Sequence, residues 1–207
     1  MNTIELFAGT KSFSKVADSL GWKTYTIDND PKLNPDWCGD IMAWENPQGI
    51  CDILWASPPC QGFSVAVIGR NWNHDRTPKT ESARKAMELV RRTMEIIDQL
   101  EPEYWFIENP RGMLRKMEWF DEWVRSKGGI RHTVSYCQYG DTRQKPTDIW
   151  TNCTQWTPRK MCSPGSSCHE AAPRGSRTGT QGLKNATVRG EIPPELFREI
   201  AHVIKKT

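Results

Sequence analysis

The sequence predicts a doubly wound, mostly parallel α/β sheet, and three observations carry that prediction. Apolar runs bounded by breakers or acids recur at Thr3–Phe7, Lys23–Asp30, Asp52–Ser57 and Tyr104–Pro110. Stretches with helical spacing lie between or after them, the clearest being Glu81–Leu100. A glycine turn follows the first run and leads straight into a helix, the layout of a nucleotide-type site. Strand and helix periods that alternate along a chain imply helices packed on both faces of one sheet.

The elements follow in order. Thr3–Phe7 is the first strand and runs into "AGTKSFS"; a helix over Ser12–Leu20 is ended by Gly21. "KTYTIDND" is the second strand, closing on Asp28 and Asp30, and "DILWAS" the third. In Glu81–Leu100, Ala83, Met87, Val90, Met94 and Ile97 recur at spacings of three and four, with Thr80 as N-cap and Pro102 as stop. "YWFIENP" is a strand ending at Glu108. A helix over Lys116–Ser126 and a Gly-Gly break precede "TVSYCQYG", and "TDIWTN" is a last short strand. Pro193-Pro194 opens a final helix with Leu196, Phe197, Ile200, Val203 and Ile204 inward. The organisation reads as a catalytic and cofactor-binding domain at 1–152, a loop-rich basic insertion at 153–190, and a helix at 191–207 that returns to the domain.

Bulk properties narrow the class. A chain of 207 residues suits one domain with an insertion. Its net charge of +3 is unevenly spread: Arg131–Gly190 carries +6 and the remainder −3. A basic segment on a slightly acidic body suits a phosphate-facing surface, with an ordinary solvated face as the alternative. Ten Trp fit core positions, one or two of them being candidates for base stacking. "MNTIELFAG" lacks a signal-peptide pattern and no long apolar run offers a membrane span. Seven cysteines without a secretion signal point to a reducing, cytoplasmic compartment, where thiols serve as nucleophiles, ligands or core fillers.

The chemistry centres on Cys60. Pro58 and Pro59 cannot extend a ladder, so the thiol sits just past a strand's carboxyl end, where open α/β sheets bind ligands. After the first strand, the Gly9 turn has Asp28 some 20 residues downstream, placed to hold ribose hydroxyls. Thr10-Lys11-Ser12 stand where further glycine would be expected.

These pieces combine into a recognisable series. "ELFAG…FS", "DND", "GDI", "PPCQGFS", "ENP" and "IPPELFREI", in that order, span almost the whole chain. The series resembles the C5-cytosine DNA methyltransferases, whose fold is the Rossmann-like sheet of S-adenosylmethionine-dependent methyltransferases. The resemblance implies that Phe7, Ala8, Gly9 and Pro59 line the cofactor site, that Asp28 holds the ribose, and that Asp40 and Ile41 hold the adenine. It implies Cys60 as nucleophile, Glu108 as the acid engaging the base, and Asn109 as a residue that holds the loop. Arg143 and Lys145 fall where the family carries base- and phosphate-contacting residues, although Arg143 replaces a Gln there and Lys145 an Arg. The expected partner is DNA, with the target cytosine flipped from a duplex or already single-stranded.

Two departures shape the remaining expectations. The insertion leaves little chain for target recognition, so specificity is short, relaxed or supplied by a second subunit, whether another copy or a different partner. It also holds Cys153, Cys162, Cys168 and His169, four candidate ligands for a structural zinc, with free thiols as the alternative. "APRGSRTGTQG" after them suits backbone contacts or a flexible turn. Other activities share parts of the pattern. An RNA-methylating branch has the same motifs, an exocyclic-amino methyltransferase has a loop close to "SPPC", and a regulatory protein could retain the fold without catalysis.

Overall fold

The first strand, β1 (Asn2–Leu6), lies near the middle of a seven-stranded sheet. In the computed structural model, residues 1–46, 49–163, 165–171 and 186–206 are described. β2 (Lys23–Asp28) and β4 (Ile53–Ala56) flank β1 in parallel, β3 (Trp37–Cys38) extends the β2 edge, and β5 (Tyr104–Pro110) adds in parallel beyond β4. β7 (Pro146–Thr151) then pairs antiparallel with both β5 and β6 (Ile130–Ser135), giving the order β3-β2-β1-β4-β5-β7-β6. The sheet is therefore mostly parallel with an antiparallel edge. A short connection between β6 and β7 cannot house a crossover, so the chain reverses there.

Period-two alternation divides the core between the two faces. Leu54, Ala56, Trp105 and Ile107 pack on one face with Val90 and Ile97 of α3 (Glu81–Leu100) and Phe120 and Val124 of α4 (Glu118–Ser126). Ile53, Trp55, Tyr104 and Phe106 pack on the other with Phe13 and Val16 of α1 (Ser12–Ser19) and Leu196, Phe197 and Ile200 of α6 (Pro194–Ile204). Burial of each large apolar side chain contributes roughly 1.5–3 kcal/mol before chain entropy is counted. Two further helices are single turns, α2 (Ile68–Asn71) and α5 (Ala186–Gly190).

Most predicted boundaries hold within a residue or two. The Thr80 hydroxyl accepts the Ala83 amide at 3.3 Å and caps α3, which ends at left-handed Glu101 before Pro102. Strand β3 is an addition; two residues are too few to show a period. All ten Trp pack in one core cluster or against it, so the base-stacking role considered for one or two of them is not supported.

Candidate active site

β4 ends at Ala56, and the chain leaving it forms the loop that carries Cys60. The carbonyl of Cys60 accepts the Phe63 and Ser64 amides at 3.0 and 2.9 Å, which makes Cys60–Gly62 a tight 3-10 turn. Three further bonds hold the loop from outside. Asn109 Nδ2 donates to the Pro58 carbonyl at 2.8 Å, Trp72 Nε1 to the Gly62 carbonyl at 2.8 Å, and the Met113 amide to the Phe63 carbonyl at 2.7 Å. Asn109 thus ties the end of β5 to the loop after β4. In the segment after Cys60, Trp72 is buried and stacks on Phe63.

Glu108, near the end of β5, is 5% exposed and accepts the Tyr136 hydroxyl at 2.9 Å. Because β7 runs antiparallel to β5, the residues just before β7 arrive beside the end of β5. Lys145 is one of them; its ammonium lies 4.7 Å from the centre of the Tyr136 ring and donates to the Arg189 carbonyl at 2.9 Å. Burial first, then the Glu108 charge, pushes the Cys60 thiol above its ordinary range, while Lys145 and Arg189 act in the opposite sense. Burial in turn lowers the Lys145 ammonium, and Glu108 opposes that shift. The free protein therefore holds a protonated thiol next to a cation that favours the thiolate.

Tyr136 carries little signal in the sequence. Its only signal was an aromatic residue at the strand end in "TVSYCQYG". Arg143 departs from its expected role at the base. Its guanidinium pairs with Asp141 and donates to the carbonyls of Val188, Arg189 and Glu191, so it clamps the exit of the insertion. Those bonds occupy its donors and leave it 5% exposed.

A cavity of about 950 Å³ extends from Cys60, Glu108 and Lys145 to the first βα turn. Phe7, Ala8, Gly9, Asp28, Asp40, Ile41 and Pro59 all line it; Asn109 and Arg143 do not. Phe7, Gly9 and Lys11 have φ of 55°, 49° and 55°, so the turn is left-handed at two non-glycine residues. Asp28 holds the turn, accepting the Gly9 and Asp30 amides at 2.9 Å each. Each carboxylate oxygen keeps lone-pair capacity for a sugar hydroxyl. Buried Glu5 accepts the Phe13 and Ser14 amides at the start of α1, and burial pushes its carboxyl up to about 7. Apolar walls at Phe7, Ile41 and Pro59 with an acid at Asp28 fit a nucleoside cofactor such as S-adenosylmethionine, and the volume is in the usual range for ligand pockets.

The expected metal-ligand set requires a correction. Cys153 is fully buried beside Trp156 in the core, with its amide bonded to the Thr151 hydroxyl. Cys162, Cys168 and His169 meet Cys137 instead. The basic stretch at 172–182 lies outside the described residues.

A seven-stranded Rossmann-like sheet with a cofactor-shaped cavity opening onto a cysteine and a glutamate defines a methyltransferase of the S-adenosylmethionine-dependent class. The chain matches the C-5 cytosine-specific DNA methylase family over residues 1–126. It is 32% identical over 221 residues to a protein of Frog virus 3 (isolate Goorha) named "Probable DNA (cytosine-5)-methyltransferase", covering 97% of this chain and 98% of the viral one. The chain belongs to the C-5 cytosine-specific DNA methylase family. Solved structures show the same fold at 14% identity. A protein encoded within an E. coli prophage matches with TM-score 0.52 over 73% of this chain. The S. pombe Dnmt2 methyltransferase matches with TM-score 0.51 over 76%. This chain spans 46% and 52% of their lengths, about half. Among the described residues no helix is long and apolar enough to cross a membrane.

Proposed function

We propose that this chain methylates C5 of a cytosine in DNA through a covalent adduct between Cys60 and C6 of the base. The observation that carries the reading is the meeting of Cys60, Glu108 and Lys145 at one end of the cavity that the first βα turn lines at the other. S-adenosylmethionine, when bound along Phe7–Gly9, Asp28 and Asp40–Ile41, supplies an electrophilic methyl group. Cytosine C5 is too weak a nucleophile to accept it unaided. Attack of the Cys60 thiolate on C6 pushes the ring electrons toward N3 and O2 and leaves an enamine whose C5 is nucleophilic. Glu108 supplies the proton or hydrogen bond at N3 that stabilises this adduct, and the Tyr136 hydroxyl holds the carboxyl in place. Lys145 favours the thiolate that begins the step. C5 then takes the methyl group, its proton passes to a base in solvent, the N3 proton returns to Glu108, and Cys60 leaves as thiolate, which restores the aromatic ring.

A base inside a duplex cannot meet these groups, so the target enters flipped or unpaired. Contacts beyond that base come from the 153–190 insertion or from a partner chain. Such a partner would be found by comparing the footprint of the isolated protein with that in lysate. The central test is trapping: protein, S-adenosylmethionine and DNA carrying 5-fluorocytosine are mixed, because fluorine at C5 blocks the final elimination. A denaturant-resistant adduct on DNA that Cys60→Ser abolishes is the expected result. Adduct formation on RNA but not DNA would refute the substrate, and methyl transfer that survives Cys60→Ser would refute the mechanism.

A further inference from the structure

A second constellation lies outside the catalytic cavity. Cys137, Cys162, Cys168 and His169 each direct one ligand atom to a common point, all four atoms lying within 4.8 Å of one another. Cys137 Sγ is 3.2 Å from Cys162 Sγ and 3.6 Å from Cys168 Sγ, and His169 Nδ1 is 3.7 and 3.6 Å from Cys162 and Cys168. Zinc bonds of about 2.3 Å to sulfur and 2.0–2.1 Å to nitrogen make a tetrahedron with edges of about 3.5–3.8 Å. Four of the six edges of the cluster, at 3.2–3.7 Å, already lie close to those lengths. Two amides complete the surroundings: Gln138 Nε2 donates to Cys168 Sγ and Gln144 Nε2 to Cys162 Sγ, both at 3.3 Å. Donors aimed at sulfur are what a metal-bound thiolate attracts, and such outer partners orient the ligands.

We infer that these four residues form a structural Cys3His zinc site that fastens the insertion to the catalytic domain. The segment needs such a fastening. Its described residues from 157 to 171 form no helix or strand and none of them is buried, Cys162, Cys168 and His169 included. A loop without a core is held by a staple or a metal. The position of Cys137 gives the site its consequence. It belongs to the 3-10 turn Tyr136–Tyr139, whose first residue donates to Glu108, and Gln144 directly precedes Lys145. Zinc would thus hold both ends of the connection between β6 and β7, from which Tyr136 and Lys145 reach the catalytic cavity. The metal site stands on its own geometry; only this positioning role rests on the proposed methylation.

The test counts metal without reference to activity. The full chain is produced with zinc in the medium, purified under reducing conditions and weighed by native mass spectrometry. One zinc per folded chain is expected, retained in Cys153→Ser and lost in Cys168→Ser. Cys168 is exposed, so its replacement leaves the fold standing, as far-UV circular dichroism will verify. Cobalt(II) in place of zinc should show thiolate charge transfer and tetrahedral d–d bands. Gln144→Ala should weaken zinc about 10-fold in competition with a chelator. A wild-type chain that stays metal-free under saturating zinc, zinc that survives Cys168→Ser, or a Cys137–Cys162 disulfide in the reduced, zinc-treated protein would overturn the inference.

Discussion

The packing of the Cys60 loop on α3 can be tested at one atom. A Cβ built on Gly62 lies 2.3 Å from the Ala86 Cβ and 3.0 Å from the Ser82 carbonyl oxygen. Carbon atoms rest at about 3.5–4.0 Å, so Gly62→Ala forces loop and helix apart by more than about 1 Å. Overpacking of this kind costs about 1–3 kcal/mol. The displacement falls on the turn that begins at Cys60, so adduct formation with 5-fluorocytosine DNA should slow along with the loss of stability. The companion change supplies the control. Ala86→Gly removes the closest atom and costs about 1 kcal/mol through helix propensity. In the double variant the remaining contacts are 3.0 Å to Ser82 and 3.6 Å to Ala83 Cα, which small shifts relieve. Thermal and urea melts of the four proteins should therefore give a coupling energy of at least about 1 kcal/mol, with trapping restored toward wild type. Additive losses, or a Gly62→Ala protein that melts and traps like the parent, would show that the loop does not take its position from α3.

Three further outcomes follow from the site. Tyr136→Phe removes a buried donor to Glu108, a hydrogen bond to a charged group worth roughly 1.5–3 kcal/mol, so kcat/KM should fall about 10–100-fold in steady-state methylation assays. Alkylation of Cys60 in the free protein should accelerate with pH through a midpoint above that of an ordinary cysteine. Glu108→Gln should move that midpoint down and Lys145→Met should move it up, because the first removes a charge that opposes the thiolate and the second removes one that favours it. Burial pushes the Glu5 carboxyl up to about 7 from an ordinary value near 4.5, so the folded state binds more protons between those values. Wild-type stability should decline as pH rises from about 4.5 to 7, and Glu5→Gln should lose that slope. The change in the stability difference should be about 2.5 kcal/mol by denaturant melts at pH 5 and pH 8. A parallel pH dependence in the two proteins would contradict the burial argument.

What could be read before the structure was what lies contiguous in the chain. Cys60 follows its strand and its prolines directly, Glu108 ends an apolar run, and Phe7–Gly9 form one turn; local patterns of two, three and four residues suffice for these. The residues that escaped are set by distance. Tyr136 reaches Glu108 across 28 positions, and Arg143 finds its carbonyls 45 to 48 positions downstream, where no period connects them. Cys137 was passed over as a ligand for the same reason. It lies 25 positions before Cys162, in a stretch that reads as part of the domain, whereas Cys153 falls within the insertion's bounds and is core. Lys11 shows a different limit: the expected glycine is absent, yet the chain adopts the left-handed conformation anyway, at φ 55°. Surroundings, such as the Ala8 carbonyl accepting the Lys11 amide at 2.7 Å, override the residue's own preference.

The clamp at the exit of the insertion bears on how the protein comes into being. Lys145 and Arg143 take their positions from carbonyls at 188, 189 and 191, and the Ile192 amide reaches back to the Ser12 hydroxyl at 3.2 Å. During ribosomal synthesis, Cys60, Glu108 and both sides of the cofactor turn emerge well before those carbonyls. A nascent chain thus carries its nucleophile early but lacks the frame that seats the neighbouring cation, and α6 closes the sheet's second face last of all. Chains emerge at about 5–20 residues per second, which sets a delay of seconds between the thiol's appearance and its completed surroundings. The cation beside the thiol is thus seated only when residues 188–192 dock against the turn at Ser12 and the stretch before β7.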